Sequence, residues 1–188
     1  IIYSLQKGSA VMSIASRIKK LLIDPDVEDA INNMPKPTTA LGFDPWGYNL
    51  ESAKLSMSLV KPSFEKYFRT VTHGLENVPK EGRVLIISNH SGVIPFDAAL
   101  LSYAVTTSKV NPRVARAMME RFLPTVPFLG NLLNEVGAVV GDPVNCGKML
   151  EKEEAIFVFP EGVRGTGKPF KDRYKLQRFG NGFMHLAI

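Results

Sequence analysis

Cysteine and histidine are scarce in this chain of 188 residues, which has one cysteine and three histidines. A single cysteine, Cys146, provides no disulfide framework, and no histidine stands at metal-ligand spacing from it. This excludes a disulfide-stapled secreted domain and argues against a zinc site, so we expect no metal and favour a reducing cytosolic environment. Because nothing in the sequence places a base beside Cys146, we expect a small filler side chain on a helix rather than a catalytic thiol.

Long hydrophobic runs are also missing. No apolar stretch approaches the ~20 residues that cross a bilayer, and the first residues lack the pattern of a cleavable signal. We therefore expect no transmembrane span in the sequence as given. The chain begins at Ile1 rather than methionine, so this expectation does not extend to a longer parent protein.

A basic amphipathic pattern lies near the start of the chain. Apolar side chains recur at helical spacing on one face between Val11 and Leu22, with Arg17, Lys19 and Lys20 beside them. Such a helix can lie in the headgroup layer of a membrane. Its apolar stripe can equally pack on the protein's own core, and the sequence leaves both interpretations open.

A turn-rich aromatic linker follows at residues 42–48, where Trp46 and Tyr48 can anchor at a membrane interface or fill a groove on the protein. We place the domain boundary there, with an N-terminal helical arm and linker over 1–47 and the main domain over 48–188. The next helix is predicted from Leu50 to Phe68, with a kink at Pro62.

Short apolar segments alternate with helical patterns through the rest of the chain. Strands are predicted near 69–74, 83–88, 113–117, 137–140 and 155–159, and helices near 98–105, 129–136 and 144–153. This alternation predicts an α/β fold, with a mixed central sheet flanked by helices.

One predicted strand, 84–87, runs directly into the loop sequence Ser-Asn-His-Ser-Gly-Val-Ile-Pro-Phe-Asp at 88–97. The loop can fold back so that the Asp97 carboxylate accepts a hydrogen bond from Nδ1 of His90. Nε2 would then be free to take a proton from a substrate hydroxyl, which is the pattern of a general-base dyad. The alternative is that His90 is an ordinary loop histidine and Asp97 is the N-cap of the following helix.

A second predicted strand, 155–159, runs into Pro-Glu-Gly-Val-Arg-Gly at 160–165. The two glycines permit positive φ angles and close approach to a ligand. Glu161 can hold a hydroxyl or orient a base, and Arg164 can bind a phosphate in a bidentate fork. The alternative is a surface ion pair between Glu161 and Arg164, which would contribute only about 0–1 kcal/mol.

In this order and at this separation, NHSGVIPFD and FPEGVRG resemble the PlsC-like glycerolipid acyltransferase family, which includes lysophosphatidic acid and glycerol-3-phosphate acyltransferases. The resemblance runs from about Phe64 to the last residue. Weaker support comes from the segments 128–131, 137–141 and 175–180, which resemble an intermediate motif and a basic segment of the family. The resemblance implies a fold like that of glycerol-3-phosphate acyltransferase.

The resemblance also implies a chemistry. His90, oriented by Asp97, would deprotonate an alcohol that attacks the thioester of acyl-CoA or of an acylated carrier protein, without a covalent acyl-enzyme. The carrier is a co-substrate, and no cofactor is implied. The acceptor would be a lyso-glycerolipid or related lipid alcohol, and the residues expected to bind substrate are Glu161, Gly162, Arg164 and Lys168.

The chain departs from the family pattern at several positions. The family usually places four residues between the histidine and the aspartate, whereas six separate His90 from Asp97. An arginine that the family associates with the acceptor phosphate is absent, and Asp142 stands near its place. Val163 and Gly165 occupy positions where small hydroxyl residues are common. The chain also stops inside a predicted helix at 179–188, so we expect a domain truncated at its C-terminus.

The net charge of +5 is concentrated in one segment after FPEG, whose basic residues are Arg164, Lys168, Lys171, Arg173, Lys175 and Arg178. Such a patch would attract the phosphates of CoA, an acidic carrier protein or an anionic membrane, and it can also be a plain solvated charge run. Nucleic acid is not expected, because stacking aromatics are few and no nucleic-acid motif accompanies the patch. We expect a peripheral protein on the cytoplasmic face of a membrane.

Two other functions fit the same residues. The altered spacing and the missing arginine are compatible with a non-catalytic module that binds lipid or an acyl carrier. A histidine that activates water instead of an alcohol would make the protein a thioester hydrolase. No Gly-x-Ser-x-Gly sequence is present, which argues against a serine esterase.

Overall fold

The computed structural model describes residues 20–34, 39, 42–92 and 94–188. Its helices are α1 (Pro25–Asn32), α2 (Leu50–Pro62), α3 (Phe96–Thr106), α4 (Leu129–Glu135), α5 (Pro143–Glu151), α6 (Val163–Thr166) and α7 (Gly182–Ala187). The strands are β1 (Val84–Ile87), β2 (Ala115–Met119), β3 (Val139–Val140) and β4 (Ala155–Val158). Most of the amphipathic pattern between Val11 and Leu22 falls outside the described residues. Within the described ranges, no helix combines the length and the hydropathy that crossing a bilayer requires.

The four strands form one sheet in the order β1-β4-β2-β3, and every pairing is parallel. The expectation of an α/β fold is confirmed, but the mixed sheet is corrected to a parallel one over the described residues. The reason is the connectivity: α3, α4 and α5 each cross over between consecutive strands, and crossovers of this length return the chain in the same direction.

Helices cover both faces of the sheet, because successive side chains of a strand point to opposite faces. On β4, Ile156 packs with the buried residues of α5, while Phe157 packs with Val105 of α3. Both strand side chains are fully buried. Cys146 lies in the same α5 cluster, where burial raises the pKa of its thiol, in agreement with the predicted filler role.

The prediction of a strand at 69–74 is wrong. Helix α2 continues past Pro62 into a π-helical turn, Ser63–Tyr67, so the predicted helix to Phe68 is confirmed with a change of pitch at the proline. Arg69 then adopts the left-handed conformation (φ 48°), and the Thr70 N–H donates to the carbonyl of Phe64. This bond closes the helix end and turns the chain away from the sheet.

The linker at 42–49 packs into the protein, so the groove alternative for its aromatic residues is the correct one. Tyr48 is buried in the cluster formed by α1, α2 and α3, and Trp46 packs beside the α5 cluster. Asp44 bonds to the buried guanidinium of Arg116, which also contacts Glu154. The boundary near residue 47 stays a prediction.

Candidate active site

The two motif blocks meet because β1 and β4 are parallel neighbours in the sheet. Ile87, the last residue of β1, lies in register with Val158, the last residue of β4. The loops that leave the two strands therefore start side by side at the carboxyl edge, where open α/β sheets bind their ligands. A hydrogen bond joins the blocks directly: the His90 N–H donates to Oε1 of Glu161 at 3.1 Å.

His90 and Asp97 are in contact despite the long spacing between them. Nδ1 of His90 lies 2.7 Å from Oδ2 of Asp97. The same Oδ2 accepts from the Ser91 N–H at 2.9 Å, and Oδ1 accepts from the Ala98 N–H at 2.8 Å. Helix α3 begins at Phe96 with Pro95 as its N-cap, so Asp97 lies in the first turn and is not the cap residue.

The charge of Asp97 determines which nitrogen of His90 carries the proton. Burial opposes ionisation of Asp97, but the hydrogen bonds from His90, Ser91 and Ala98 outweigh it and lower the pKa of the carboxyl. An ionised carboxylate only accepts hydrogen bonds, so Nδ1 must be the donor. The neutral imidazole then has its lone pair on Nε2, which has no hydrogen-bond partner among the residues that the structure describes.

The His90 ring is also held by an aromatic contact that the sequence did not predict. It stacks on Phe159 with a centroid distance of 4.2 Å and an interplanar angle of 16°. Phe159 opens the FPEG block, so the motif itself was the signal for this role. The stack and the Asp97 contact together restrict the ring, whose side chain is only 12% exposed.

Glu161 is fully buried, and its carboxylate accepts hydrogen bonds from three donors. Oε1 accepts from the His90 N–H, while Oε2 accepts from the Gln177 N–H at 2.8 Å and from Lys168 Nζ at 2.9 Å. Burial alone would raise the pKa of Glu161, but the Gln177 amide, the Lys168 ammonium and the His90 amide lower it. The carboxylate thus connects the His90 loop to the segment after FPEG. Nothing in the sequence pointed to Gln177.

The other predicted substrate-binding residues have different environments. Lys168 is buried, and its ammonium contacts Glu161 and the carbonyl of Lys175. Arg164 is exposed and forms no hydrogen bond or ion pair with the described residues. Gly162 has φ 54° and ψ −144°, which only glycine adopts readily, and it turns the chain after Glu161. The alternative of an ion pair between Glu161 and Arg164 is wrong, because Lys168 takes that place.

Gly165 lies against His90. A Cβ built on Gly165 would stand 2.8 Å from His90 Cβ, 2.9 Å from Glu161 Cβ and 3.0 Å from the His90 carbonyl oxygen. These atoms belong to the backbone and to the roots of the side chains, so a methyl group forces a shift between Gly165 and the His90–Glu161 pair. We expect Gly165→Ala to lower kcat by about 10–100-fold, since small displacements of a catalytic group have effects of this size.

The matched control for this variant is Gly147→Ala. Gly147 lies inside α5, and a Cβ there would meet nothing within 4 Å. That substitution should keep kcat and raise the free energy of unfolding by about 0.5–1 kcal/mol, the helix-propensity gain. Steady-state kinetics and thermal unfolding of both variants check the prediction. Unchanged kcat in Gly165→Ala would contradict the close packing against His90.

A cavity of about 230 Å³ lies beside the dyad, at the carboxyl ends of β2, β3 and β4. Phe159 lines this cavity, and its ring also stacks on the His90 imidazole. Most of the other lining side chains are apolar, and its two charged ones are the carboxylates Glu120 and Asp142. Asp142 is the N-cap of α5, and Oδ1 accepts from the Asn145 N–H at 2.9 Å. The described residues contain no cluster of acidic, histidine and cysteine side chains suited to a metal.

Comparison with known proteins identifies the family of this chain. The family model described as Acyltransferase matches residues 69–188, which include both motif blocks. An uncharacterized protein of Mycobacterium tuberculosis is 37% identical over 148 residues, covering 78% of this chain and 40% of that protein. An uncharacterized protein of Mycobacterium leprae is 36% identical over 152 residues, covering 78% and 39%. The chain thus spans about two fifths of the length of these relatives.

Some of the similar proteins have a name that describes an activity. The bovine "DGAT1/2-independent enzyme synthesizing storage lipids" is 32% identical over 92 residues, which are 49% of this chain and 27% of that protein. No solved structure matches this chain. The family model covers more than half of the chain and includes the residues that form the His90–Asp97 contact. This chain therefore belongs to the acyltransferase family, in its PlsC-like branch.

Proposed function

We propose that this protein is an O-acyltransferase that moves a fatty acyl group from acyl-CoA or acyl carrier protein to a lyso-glycerolipid or related lipid alcohol. The observation that carries the proposal is the 2.7 Å contact between His90 Nδ1 and Asp97 Oδ2, at the carboxyl edge of an acyltransferase domain. This contact, kept across six intervening residues, favours a catalytic role over a module that only binds.

In the proposed reaction, His90 Nε2 takes the proton of the acceptor hydroxyl as its oxygen attacks the thioester carbonyl carbon. The tetrahedral intermediate then breaks its carbon–sulfur bond, and the leaving thiolate takes the proton back from the imidazolium. Asp97 stabilises the imidazolium through Nδ1 and is not itself protonated. The acyl group moves from the thioester sulfur to the acceptor oxygen, and the acceptor's proton moves to the thiolate. The proposed reaction is therefore balanced without a cofactor.

The acceptor that we propose carries no phosphate near its reacting hydroxyl. Asp142 and Glu120 contribute negative charge to the cavity beside the dyad, and a phosphate there would be repelled. A neutral glyceride carries no charge that these carboxylates would repel. The name of the bovine relative, which refers to storage lipids, agrees with a neutral acceptor.

The donor's phosphates are proposed to bind the basic segment that follows FPEG. The exposed basic residues of this segment include Arg164, Lys171, Arg173 and Arg178. The Lys168 ammonium, in contrast, forms an ion pair with Glu161. The same charge would hold the protein on an anionic membrane, so we propose a peripheral location on the cytoplasmic face.

The test is an acyl-transfer assay with radiolabelled palmitoyl-CoA and a panel of acceptors that includes lysophosphatidic acid, monoacylglycerol, diacylglycerol and a long-chain alcohol. We expect labelled lipid that depends on a neutral acceptor, with one free CoA released per acyl group transferred. Preference for lysophosphatidic acid would overturn the proposal that the acceptor carries no phosphate near its reacting hydroxyl, while leaving the acyltransferase reaction in place.

Two other outcomes would replace the proposed reaction. Free fatty acid released at the same rate with and without acceptor would identify a thioester hydrolase. Tight binding of acyl-CoA with neither lipid product nor free CoA would identify a non-catalytic binding module. A parallel assay with acylated carrier protein determines the donor.

A further inference from the structure

An exposed apolar surface lies directly beside the dyad. It consists of Tyr67, Phe68, Ile94 and Phe96, whose exposed fractions are 77%, 42%, 63% and 43%, and we name it the apolar rim. The Phe68 ring contacts Tyr67 at 4.8 Å and Phe96 at 5.5 Å between centroids. The Phe96 N–H donates to the Ile94 carbonyl at 2.7 Å, so the four residues are continuous.

The rim is tied to the catalytic residues by the chain itself. Ile94 belongs to the loop that joins His90 to α3, and Phe96 is the first residue of α3 and directly precedes Asp97. Tyr67 and Phe68 come from the π-helical end of α2. A solvent-exposed aromatic cluster is costly in a soluble protein and marks a surface that contacts something apolar.

The charges around the rim indicate what that apolar partner is. Lys66 and Arg69 are exposed on either side of Tyr67 and Phe68. Glu161, which accepts from the His90 N–H, also bonds to Lys168 and to the Gln177 N–H, and the segment between those two residues carries Phe170, Tyr174 and exposed basic residues. Aromatic side chains interleaved with lysine and arginine suit the headgroup layer of an anionic bilayer, where rings insert and cations meet phosphates.

Arg69 supplies an independent indication. It adopts the left-handed conformation (φ 48°), which glycine would adopt without strain at this helix end. Its guanidinium has no hydrogen-bond or ion-pair partner in the described ranges. An arginine in a strained backbone position, with no partner among the described residues, is expected where its guanidinium binds an anionic group outside the protein.

We propose that the apolar rim, with Lys66 and Arg69, is the surface that docks on an anionic lipid bilayer and places the dyad at the headgroup layer. The inference rests on the proposed function, because it names the membrane surface of that same site. Docking in this orientation lets a lipid hydroxyl reach His90 without leaving the bilayer.

Vesicle co-sedimentation tests the docking without any substrate. The chain should bind phosphatidylcholine vesicles that contain phosphatidylglycerol, with weaker binding at high salt and on phosphatidylcholine alone. The double variant Tyr67→Ser, Phe68→Ser, which leaves the His90 loop unchanged, should bind at least about tenfold more weakly. The matched control, Leu59→Ser, Val110→Ser, removes two apolar side chains of 61% exposure outside the rim and should bind as the wild type does.

Arg69→Gly separates a docking role from a structural one. It should raise the melting temperature, because the left-handed conformation is then unstrained, and it should still weaken binding to anionic vesicles. Equal binding of wild type and rim variant, or no vesicle binding by the wild type, would overturn the proposal.

A second measurement distinguishes the failure of this inference from the failure of the proposed function. Acyl transfer to a water-soluble short-chain alcohol needs no membrane, so the rim variant should keep the wild-type rate in that assay. Vesicle binding that depends on the rim, in a protein with no acyl transfer at all, would support the surface and reject the enzyme. If the rim variant loses the same fraction of its acyl-transfer rate with membrane and water-soluble acceptors, the rim residues support the catalytic residues and do not dock the protein. That result would overturn the proposal.

Discussion

His90→Ala and Asp97→Asn should each lower kcat for acyl transfer by about 10²–10⁴-fold, the contribution of a positioned general base. The alanine variant has no base at all. The asparagine variant keeps the shape of the contact, but its amide can donate to Nδ1 and force the proton onto Nε2. The acceptor hydroxyl then faces an N–H donor at Nε2 instead of the lone pair that would take its proton.

The fold should survive both substitutions. His90 lies in the loop after β1 and Asp97 in the first turn of α3, and neither belongs to the buried clusters that join the helices to the strands. His73→Ala is the matched control, because His73 is an exposed histidine with no carboxylate contact in the described part of the chain. Circular dichroism and steady-state kinetics measure the two properties separately. Turnover above about one tenth of wild type in His90→Ala would reject the dyad as the base.

Much of the site could be predicted because its residues follow short apolar strands. The runs at 84–87 and 155–158 are too apolar for exposed loops, and both are strands of the sheet. The spacing within each block then places His90 and Glu161 just after a strand end. The order of the strands could not be predicted, since periodicity gives the direction of side chains within a strand and not its neighbours.

The segment 69–74 shows where local pattern fails. Its threonines and Val71 favour a strand, but the Thr70 N–H bonds back to the carbonyl of Phe64, and Arg69 turns the chain in the left-handed region.

Lys168 shows that a pattern of charges along the sequence also fails to predict a tertiary contact. A run of basic residues is usually solvated, yet the Lys168 ammonium lies on a buried carboxylate that the sequence places seven residues earlier. Both outcomes depend on tertiary contacts.

Glu161→Ala should have the largest effect on stability, a loss of about 3–5 kcal/mol in the free energy of unfolding. The substitution leaves the Lys168 ammonium in a buried position without its carboxylate and removes the acceptor of the His90 and Gln177 amides. Glu161→Gln keeps the shape and one carbonyl acceptor, so its loss should be smaller. The control Glu151→Ala removes an exposed glutamate of α5 and should change the free energy of unfolding by no more than about 0.5 kcal/mol.

The pH dependence of unfolding isolates the charge of Glu161. Its pKa is lower in the folded protein than in the unfolded chain, so its contribution is complete above the unfolded value and is lost as pH falls through the folded one. Asp97 and Asp24 also have lowered pKa values and weaken the wild type in acid. Denaturant unfolding from neutral to acidic pH should therefore bring Glu161→Gln and the wild type closer together. A constant gap between the two would contradict this assignment.

Kinetics of Glu161→Gln then determine whether this residue binds the acceptor or positions the base. The sequence predicts acceptor binding, and loss of that contact would raise KM with kcat nearly unchanged. The structure instead gives both oxygens protein donors, one of them the His90 amide. We therefore expect kcat to fall by about 10–100-fold with KM nearly unchanged, because the loop that carries the base is displaced while the acceptor's contacts remain. A rise in KM alone would restore the acceptor-binding role and place the lipid hydroxyl at Glu161.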